Sequence, residues 1–410
     1  MRRLIVIICL ASLTPLLTAQ EPTLPRVELW KQDIIFAAKN LPRRHKDLFR
    51  NISRKEWKTA ALALAKSVNE KTSVAEFASK LMRLAALAHD SHTGLRWSDV
   101  GLPRLPLFFV EYADGIFIQK YPKDEGRLKG ARLLAVDGQP VEKVLQALRP
   151  LVSHDNDESF RRGAIVLLTV PAFLRAAGIA TAKGTDGDTM VLRLRSAKGE
   201  EFDYATQALP DSRLRPLKIG LSFESLPLCL EKGRTDFWFR FLPENRALLF
   251  RTNRLRDRRR FQAMVDEAAT AVEGKSVERV IVDLRDNGGG NSTVMNPLFA
   301  ALQKKRFGEN PKVYGIIGRN TFSSAILNAI TLKKRFGATL VGAPTAGRPN
   351  HFGEIRPLKL PNSHLTIFYS TKYFSRVPGD PPSLIPDIAP RLNAADYFHG
   401  KDAFLDACLN

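Results

Sequence analysis

The sequence predicts an α/β chain in several parts: a helical N-terminal region, a β-rich lobe with a helical insertion, and a core built on a helix-covered central sheet. Three observations predict it. Apolar residues between positions 27 and 100 recur at helical spacing. Between 105 and 209 the pattern changes to short strand-like runs. From 277 to 341 strand and helix patterns alternate, which implies parallel strands covered by helices. With 410 residues, 44% of them hydrophobic and 26% charged, the chain has an ordinary globular composition and enough length to bury a full core.

The first 19 residues stand apart. Arg2 and Arg3 precede an apolar stretch at 4–17, and Thr18-Ala19 ends it on a small residue. That order reads as a secretory signal peptide at 1–19, and it places the mature chain in the periplasm or outside the cell. The stretch is short for a membrane span and contains Pro15; an uncleaved anchor is the competing reading. Of three cysteines, Cys9 leaves with the leader, so Cys229 and Cys408 form either one disulfide or two buried thiols. The net charge of +21 is spread over basic runs at 43–45, 254–260, 304–306 and 333–335. It favours peripheral association with anionic membrane or cell-wall surfaces. Interleaved aromatics, zinc-finger spacing and a helix-turn-helix pattern are all missing, so nucleic acid is not the expected partner.

The helical region opens with Trp30, Ile34, Ile35 and Leu41, then Trp57, Leu62, Leu64 and Val68. Ser53 with Glu56 and Ser73 with Glu76 are capping boxes that start two further helices. The last of these carries Phe77, Leu81, Leu84 and Leu87 and runs into the turn His89-Asp90-Ser91-His92-Thr93-Gly94. The lobe at 105–209 has strand patterns at 107–112, 116–121, 131–136 and 190–194, with a helical stretch at 153–182. The core, 220–395, begins with FWFRFL and ALLFRTN, two strands joined at Pro243-Glu244-Asn245, followed by an amphipathic helix at 258–272. Val280-Ile281-Val282 then runs as a buried strand into Gly288-Gly289-Gly290. A strand at 313–317 leads through Gly318 to Ser323-Ser324 and a helical pattern of Ile326, Leu327, Ile330 and Leu332. A buried strand at 338–341, a polar loop at 342–351 and strands at 358–360 and 366–369 complete the core.

Two of these turns carry chemistry. Three glycines after a strand let the backbone turn sharply and present bare N–H groups to a ligand. A serine at a strand-to-helix turn exposes its hydroxyl over a helix N-terminus. Alone, such a serine is most simply a helix cap. Paired with the glycine loop, the turn of Ser323 and Ser324 reads as supplying a nucleophile beside an oxyanion site.

DLRDNGGG followed by TFSSA resembles the C-terminal-processing (tail-specific) serine peptidases, in particular the tricorn-core-like branch, over roughly residues 30–388. The resemblance implies a fold of that type, peptide or protein substrates and no cofactor. The stretch 130–141 is similar to the strand and turn of a PDZ-like domain, which grips a substrate by strand addition; a β-rich lobe with no groove is the alternative. One arrangement in the family uses a lysine base and a glutamate, and those positions here read Arg348 and Ile326. Arginine stays protonated and cannot take the proton. The other arrangement uses a histidine before a threonine and an acidic residue ahead of the closing Pro-Asp. His92, with Ser91 adjoining it, and Asp380 match, although His89 stands where the family more often has a small residue. The resemblance thus implies a set of His92 as base, Ser323 as nucleophile and Asp380 as orienter, with the N–H groups of Ser324 and of Gly288 or Gly289 as oxyanion donors. His351 is a second candidate for the base. Arg348, Asn350 and His351 are otherwise assigned to substrate contact, Arg348 to a carboxylate.

No HExxH, paired cysteines or carboxylate cluster supports a metal, and the glycines are not followed by the Lys-Ser/Thr of a nucleotide loop. The competing function is a catalytically silent module binding peptides or apolar ligands on the same fold. Export is tested by N-terminal sequencing of the mature protein, which should begin just after Ala19.

Overall fold

The computed structural model describes residues 24–179, 188–233 and 235–410. The leader at 1–19 and the end of the helical stretch expected at 153–182 lie outside them. Among the described residues no helix is long and apolar enough to cross a membrane.

Helices α1 (Arg26–Arg44), α2 (Arg54–Lys66) and α3 (Val74–Ala86) form the N-terminal region. Both expected capping boxes are made: Ser53 and Ser73 accept from the N3 amides, and Glu56 and Glu76 reach back to the N-cap amides. Trp30 stacks on Phe77 at 4.5 Å between ring centroids. Asp33, fully buried on α1, accepts from the backbone of Asn362 and Ser363 and so ties this region to a C-terminal turn.

The lobe is an antiparallel sheet of β1 (Phe108–Tyr112), β2 (Gly115–Pro122), β3 (Arg132–Val136), β4 (Thr189–Arg195) and β5 (Glu201–Gln207), in that spatial order. Between β3 and β4 come α4 (Val141–Leu148), α5 (Asp157–Leu167) and α6 (Pro171–Ala176), the last two within the expected helical stretch. One hydrophobic core runs through this lobe, the three N-terminal helices and the C-terminal hairpin, from Val27 to Tyr369.

The central sheet is β6 (Phe237–Leu242), β7 (Ala247–Thr252), β8 (Arg279–Asp283), β9 (Lys312–Ile317) and β10 (Thr339–Gly342). Strands β7 to β10 are parallel and β6 pairs antiparallel at one edge. All six residues of β7 are buried, as a strand covered on both faces requires. Helices α7 (Arg258–Ala271), α8 (Asn296–Gln303) and α9 (Ser324–Phe336) cover the sheet. The C-terminal hairpin is longer than its sequence pattern. β11 (His351–Lys359) pairs with β12 (Thr366–Phe374), so His351 opens a strand and does not sit in a polar loop. The exposed run Glu354-Ile355-Arg356-Pro357 hid it, because that part of the strand faces solvent and breaks the apolar pattern. The two-residue strand Gly94–Leu95, just after His92, pairs with β12 and brings the N-terminal turn to the hairpin.

Beneath the glycine loop lies an ion network that is buried except at Asp286. Arg251 on β7 meets Asp283 at 2.7 Å and Asp286 at 2.5 Å. Arg285 meets Asp283 at 3.1 Å and Asp402 at 2.6 Å. Asp402 caps α10 (Ala403–Leu409) through the amides of Phe404 and Leu405. Cys229 and Cys408 are buried free thiols, which settles the pairing left open above; burial pushes both up to about 12. Removing one partner of a buried ion pair strands the other charge. Asp402→Ala should cost about 3–5 kcal/mol in urea unfolding.

Candidate active site

Ser323 is the residue before α9, and its backbone takes φ 52° and ψ −125°. For a side chain with a Cβ that is a strained region, costing about 1–3 kcal/mol unless its surroundings hold it. They do. Phe322 N–H donates to Asn287 O at 3.0 Å, and Gly318 N–H donates to Thr321 Oγ at 2.9 Å. Thr321 Oγ in turn donates to Leu284 O at 2.8 Å. Although Ser323 occupies the cap position, its side chain makes no capping hydrogen bond. The capping explanation fails here, and the hydroxyl stays available on a half-buried residue. Ser324 is the engaged one: its Oγ donates to Gly290 O at 2.6 Å.

The glycine loop lies directly against this turn. A Cβ on Gly289 would stand 2.8 Å from Ser323 Cβ and 3.0 Å from Phe322 O, and its φ of +104° also excludes a side chain. One expected donor is corrected. Gly289 N–H is already used, donating to Asn287 Oδ1 at 2.9 Å. Gly288 N–H and Ser324 N–H make no hydrogen bond among the described residues, so these two of the three candidates remain. Asn287 is itself fully buried and donates from Nδ2 to Thr252 O at 2.9 Å.

His92 reaches this turn from the other end of the chain. Its ring stacks on Phe322, next to Ser323, at 4.3 Å between centroids, and lies nearly parallel to His351 at 5.6 Å. The side chain is 8% exposed, and neither ring nitrogen has a hydrogen-bond partner. Arg162 covers the Phe322 ring at 4.4 Å. Gly347 lets Phe322 and Ile326 approach, since a Cβ there would meet them at 3.0 and 3.1 Å. Ile326, fully buried, is packing.

Asp380 is placed differently from its expected role. Its carboxylate pairs with Arg348 Nη1 at 2.5 Å, and among the described residues it makes no hydrogen bond to the His92 ring. The carboxylate beside His92 is Asp90, 3.7 Å from Nδ1. Asp90 was visible in the sequence, two positions before His92, but nothing local distinguishes it from a turn aspartate. Asn350 also departs from substrate contact. Its Nδ2 donates to Val377 O and Gly379 O, and its Oδ1 accepts from the amides of Arg376 and Val377, so it shapes the loop that carries Asp380. Arg348 braces that loop and also donates from Nε to Asp155 O at 3.1 Å. It lines a cleft of about 520 Å³ together with His351, Asp90, Arg50, His89 and His154. Among the described residues no three His, Cys, Asp or Glu side chains are grouped to hold a metal ion.

The fold has counterparts among solved structures. The chain is similar in structure to mature CPAF complexed with lactacystin, with a TM-score of 0.61 and 12% identity over 91% of this chain and 95% of that one. A second structure of mature CPAF gives a TM-score of 0.61 and 13% identity over 93% and 96%. The tricorn protease gives 0.46 and 16% identity over 93% of this chain and 36% of that chain. No family model matches the sequence, and no curated protein matches it. At such identities the likeness is one of fold, and the chemistry has to be argued from the residues themselves.

His351 settles one electrostatic point. Its Nδ1 lies 2.9 Å from Arg348 O, a group that only accepts, so Nδ1 carries the proton and the buried Nε2 holds the lone pair. Burial, then the neighbouring His92, lowers it from 6.5 to about 4. The unfolded chain takes this proton first as pH falls. The stabilisation is therefore complete above about 6.5 and lost on the way down to about 4. Between pH 7 and pH 4 the wild type should lose about 3 kcal/mol more than His351→Phe in urea unfolding.

Proposed function

We propose that the chain is an exported serine peptidase acting on peptide or protein substrates. The observation that carries this reading is the state of Ser323. Its hydroxyl is uncapped, its backbone is held at positive φ, and the glycine loop packs against it. Strain maintained by surrounding hydrogen bonds is a common property of a working nucleophile turn.

In this reading Ser323 Oγ attacks the substrate carbonyl. His92, lying over Phe322 with unpartnered ring nitrogens, accepts the serine proton and returns it to the leaving amine. Gly288 N–H and Ser324 N–H, at the start of a helix whose dipole adds positive potential, receive the oxyanion. Arg348, on the adjoining cleft, takes a substrate carboxylate in exchange for Asp380. The positive net charge holds the exported enzyme against anionic membrane or wall polymers. A silent module for apolar ligands fits less well, because the cleft is lined by arginine, histidine and aspartate.

A fluorophosphonate probe should label the protein at Ser323 and nowhere else. Ser323→Ala should abolish labelling, and Ser323→Ala and His92→Ala should each lower kcat on a peptide substrate by about 10⁴-fold or more. Labelling of a different serine, or full turnover in Ser323→Ala, would refute the reading.

A further inference from the structure

We infer that Asp90 is the positioning residue for the base His92, and that it acts from the base's own turn, in place of a carboxylate brought from the loop at 377–383. The inference rests on the serine-peptidase reading above. Asp90 is 1% exposed and divides its two oxygens between two tasks. Oδ1 faces the base: it accepts His92 N–H at 2.9 Å and stands 3.7 Å from His92 Nδ1. Oδ2 faces the scaffold: it accepts from Thr93 Oγ at 2.6 Å, from Ser370 Oγ at 2.6 Å and from His45 Nε2 at 3.1 Å.

The direction of the His45 bond follows from its other nitrogen. Nδ1 accepts the N–H of Asp47 at 3.1 Å, so the ring proton is on Nε2 and points at Asp90. The donors to Asp90 therefore come from three places: the loop after α1, the turn at 90–93, and β12 of the C-terminal hairpin. Burial opposes the charge on Asp90. The hydrogen bonds of His45 and Ser370, with His92 alongside, overcome that and hold the carboxyl well below its ordinary range. The result is a fixed anion beside the base.

No other carboxylate is paired with His92 among the described residues. Asp380 is held by Arg348. Asp155, from the loop ahead of α5, accepts from Ser91 Oγ at 2.8 Å and is pushed up by burial. His351 from β11 presents a neutral ring to His92. With Asp90 facing Nδ1, the tautomer with its proton on Nδ1 is favoured. That leaves the Nε2 lone pair for the serine proton, and Asp90 stabilises the imidazolium that forms. Catalytic hydrogen bonds commonly shorten when substrate binds, and the 3.7 Å separation leaves room for this.

The test uses the full chain and two readouts. The first is kcat on a peptide substrate for Asp90→Asn, which is isosteric, and for Ser370→Ala, which removes one of its donors and leaves the carboxylate in place. Asp90→Asn should lose about 10⁴-fold in kcat. Ser370→Ala should lose less, and its folded fraction should match the wild type. The second readout, an NMR titration of the His92 ring, does not depend on activity. Losing a neighbouring anion should move that titration to lower pH in Asp90→Asn, whereas Asp380→Asn should leave it in place. If Asp90→Asn folds and keeps its turnover or its His92 titration, or if Asp380→Asn moves that titration, the inference is wrong. If Ser323→Ala is fully active, the peptidase reading falls. A displaced His92 titration in Asp90→Asn would still show the pairing.

Discussion

The structure depends on a buried set of charges that cannot be separated cheaply. Arg251 and Arg285 lie under the end of β8 and are neutralised by Asp283, Asp286 and Asp402. Two guanidiniums this deep are tolerable only with their partners in place. Their geometry dictates where residues 283–286 sit, and so where Asn287 starts the glycine loop. Asp286 also accepts from Asn320 Nδ2 at 3.0 Å, and Asn320 belongs to the serine turn. The same network therefore fixes both loops whose meeting places Gly289 against Ser323.

Much of this arrangement was legible in the sequence, for local reasons. The central strands are short apolar runs between helical patterns, and their glycine and serine turns follow directly. The capping boxes at Ser53 and Ser73 are complete within four residues. The features that escaped notice join distant positions. Asp90 is distinguished from an ordinary turn aspartate by Ser370, 280 residues away. Asp380 looked like an orienter by its place before Pro386-Asp387, yet Arg348, 32 residues earlier, holds it. The occupancy of Gly289 N–H depends on which way the Asn287 side chain turns, which no spacing encodes. His351 begins a strand because Phe374 pairs with it across the hairpin.

Ser323 and His92 thus arrive by separate routes. Ser323 belongs to the parallel sheet and its glycine loop. His92 belongs to the N-terminal helices and is fastened through Asp90 and the Gly94–Leu95 strand to the C-terminal hairpin. Contact between the two halves of the site is aromatic, with His92 lying over Phe322, and it is covered by Arg162 from α5. A ring stacked between such neighbours has little rotational freedom left to lose, so the orientation of His92 is set in advance.

The reach of the Arg285–Asp402 bond, 117 residues along the chain, bears on biosynthesis. A ribosome delivers the chain from its N-terminus, so Ser323 and both glycine-loop strands emerge before their brace exists. Until Asp402 follows, Arg285 has only Asp283 and the competition of water, and the serine turn rests on an incomplete foundation. The geometry of the serine turn would then be completed only late in synthesis, once the last acidic partner has been delivered.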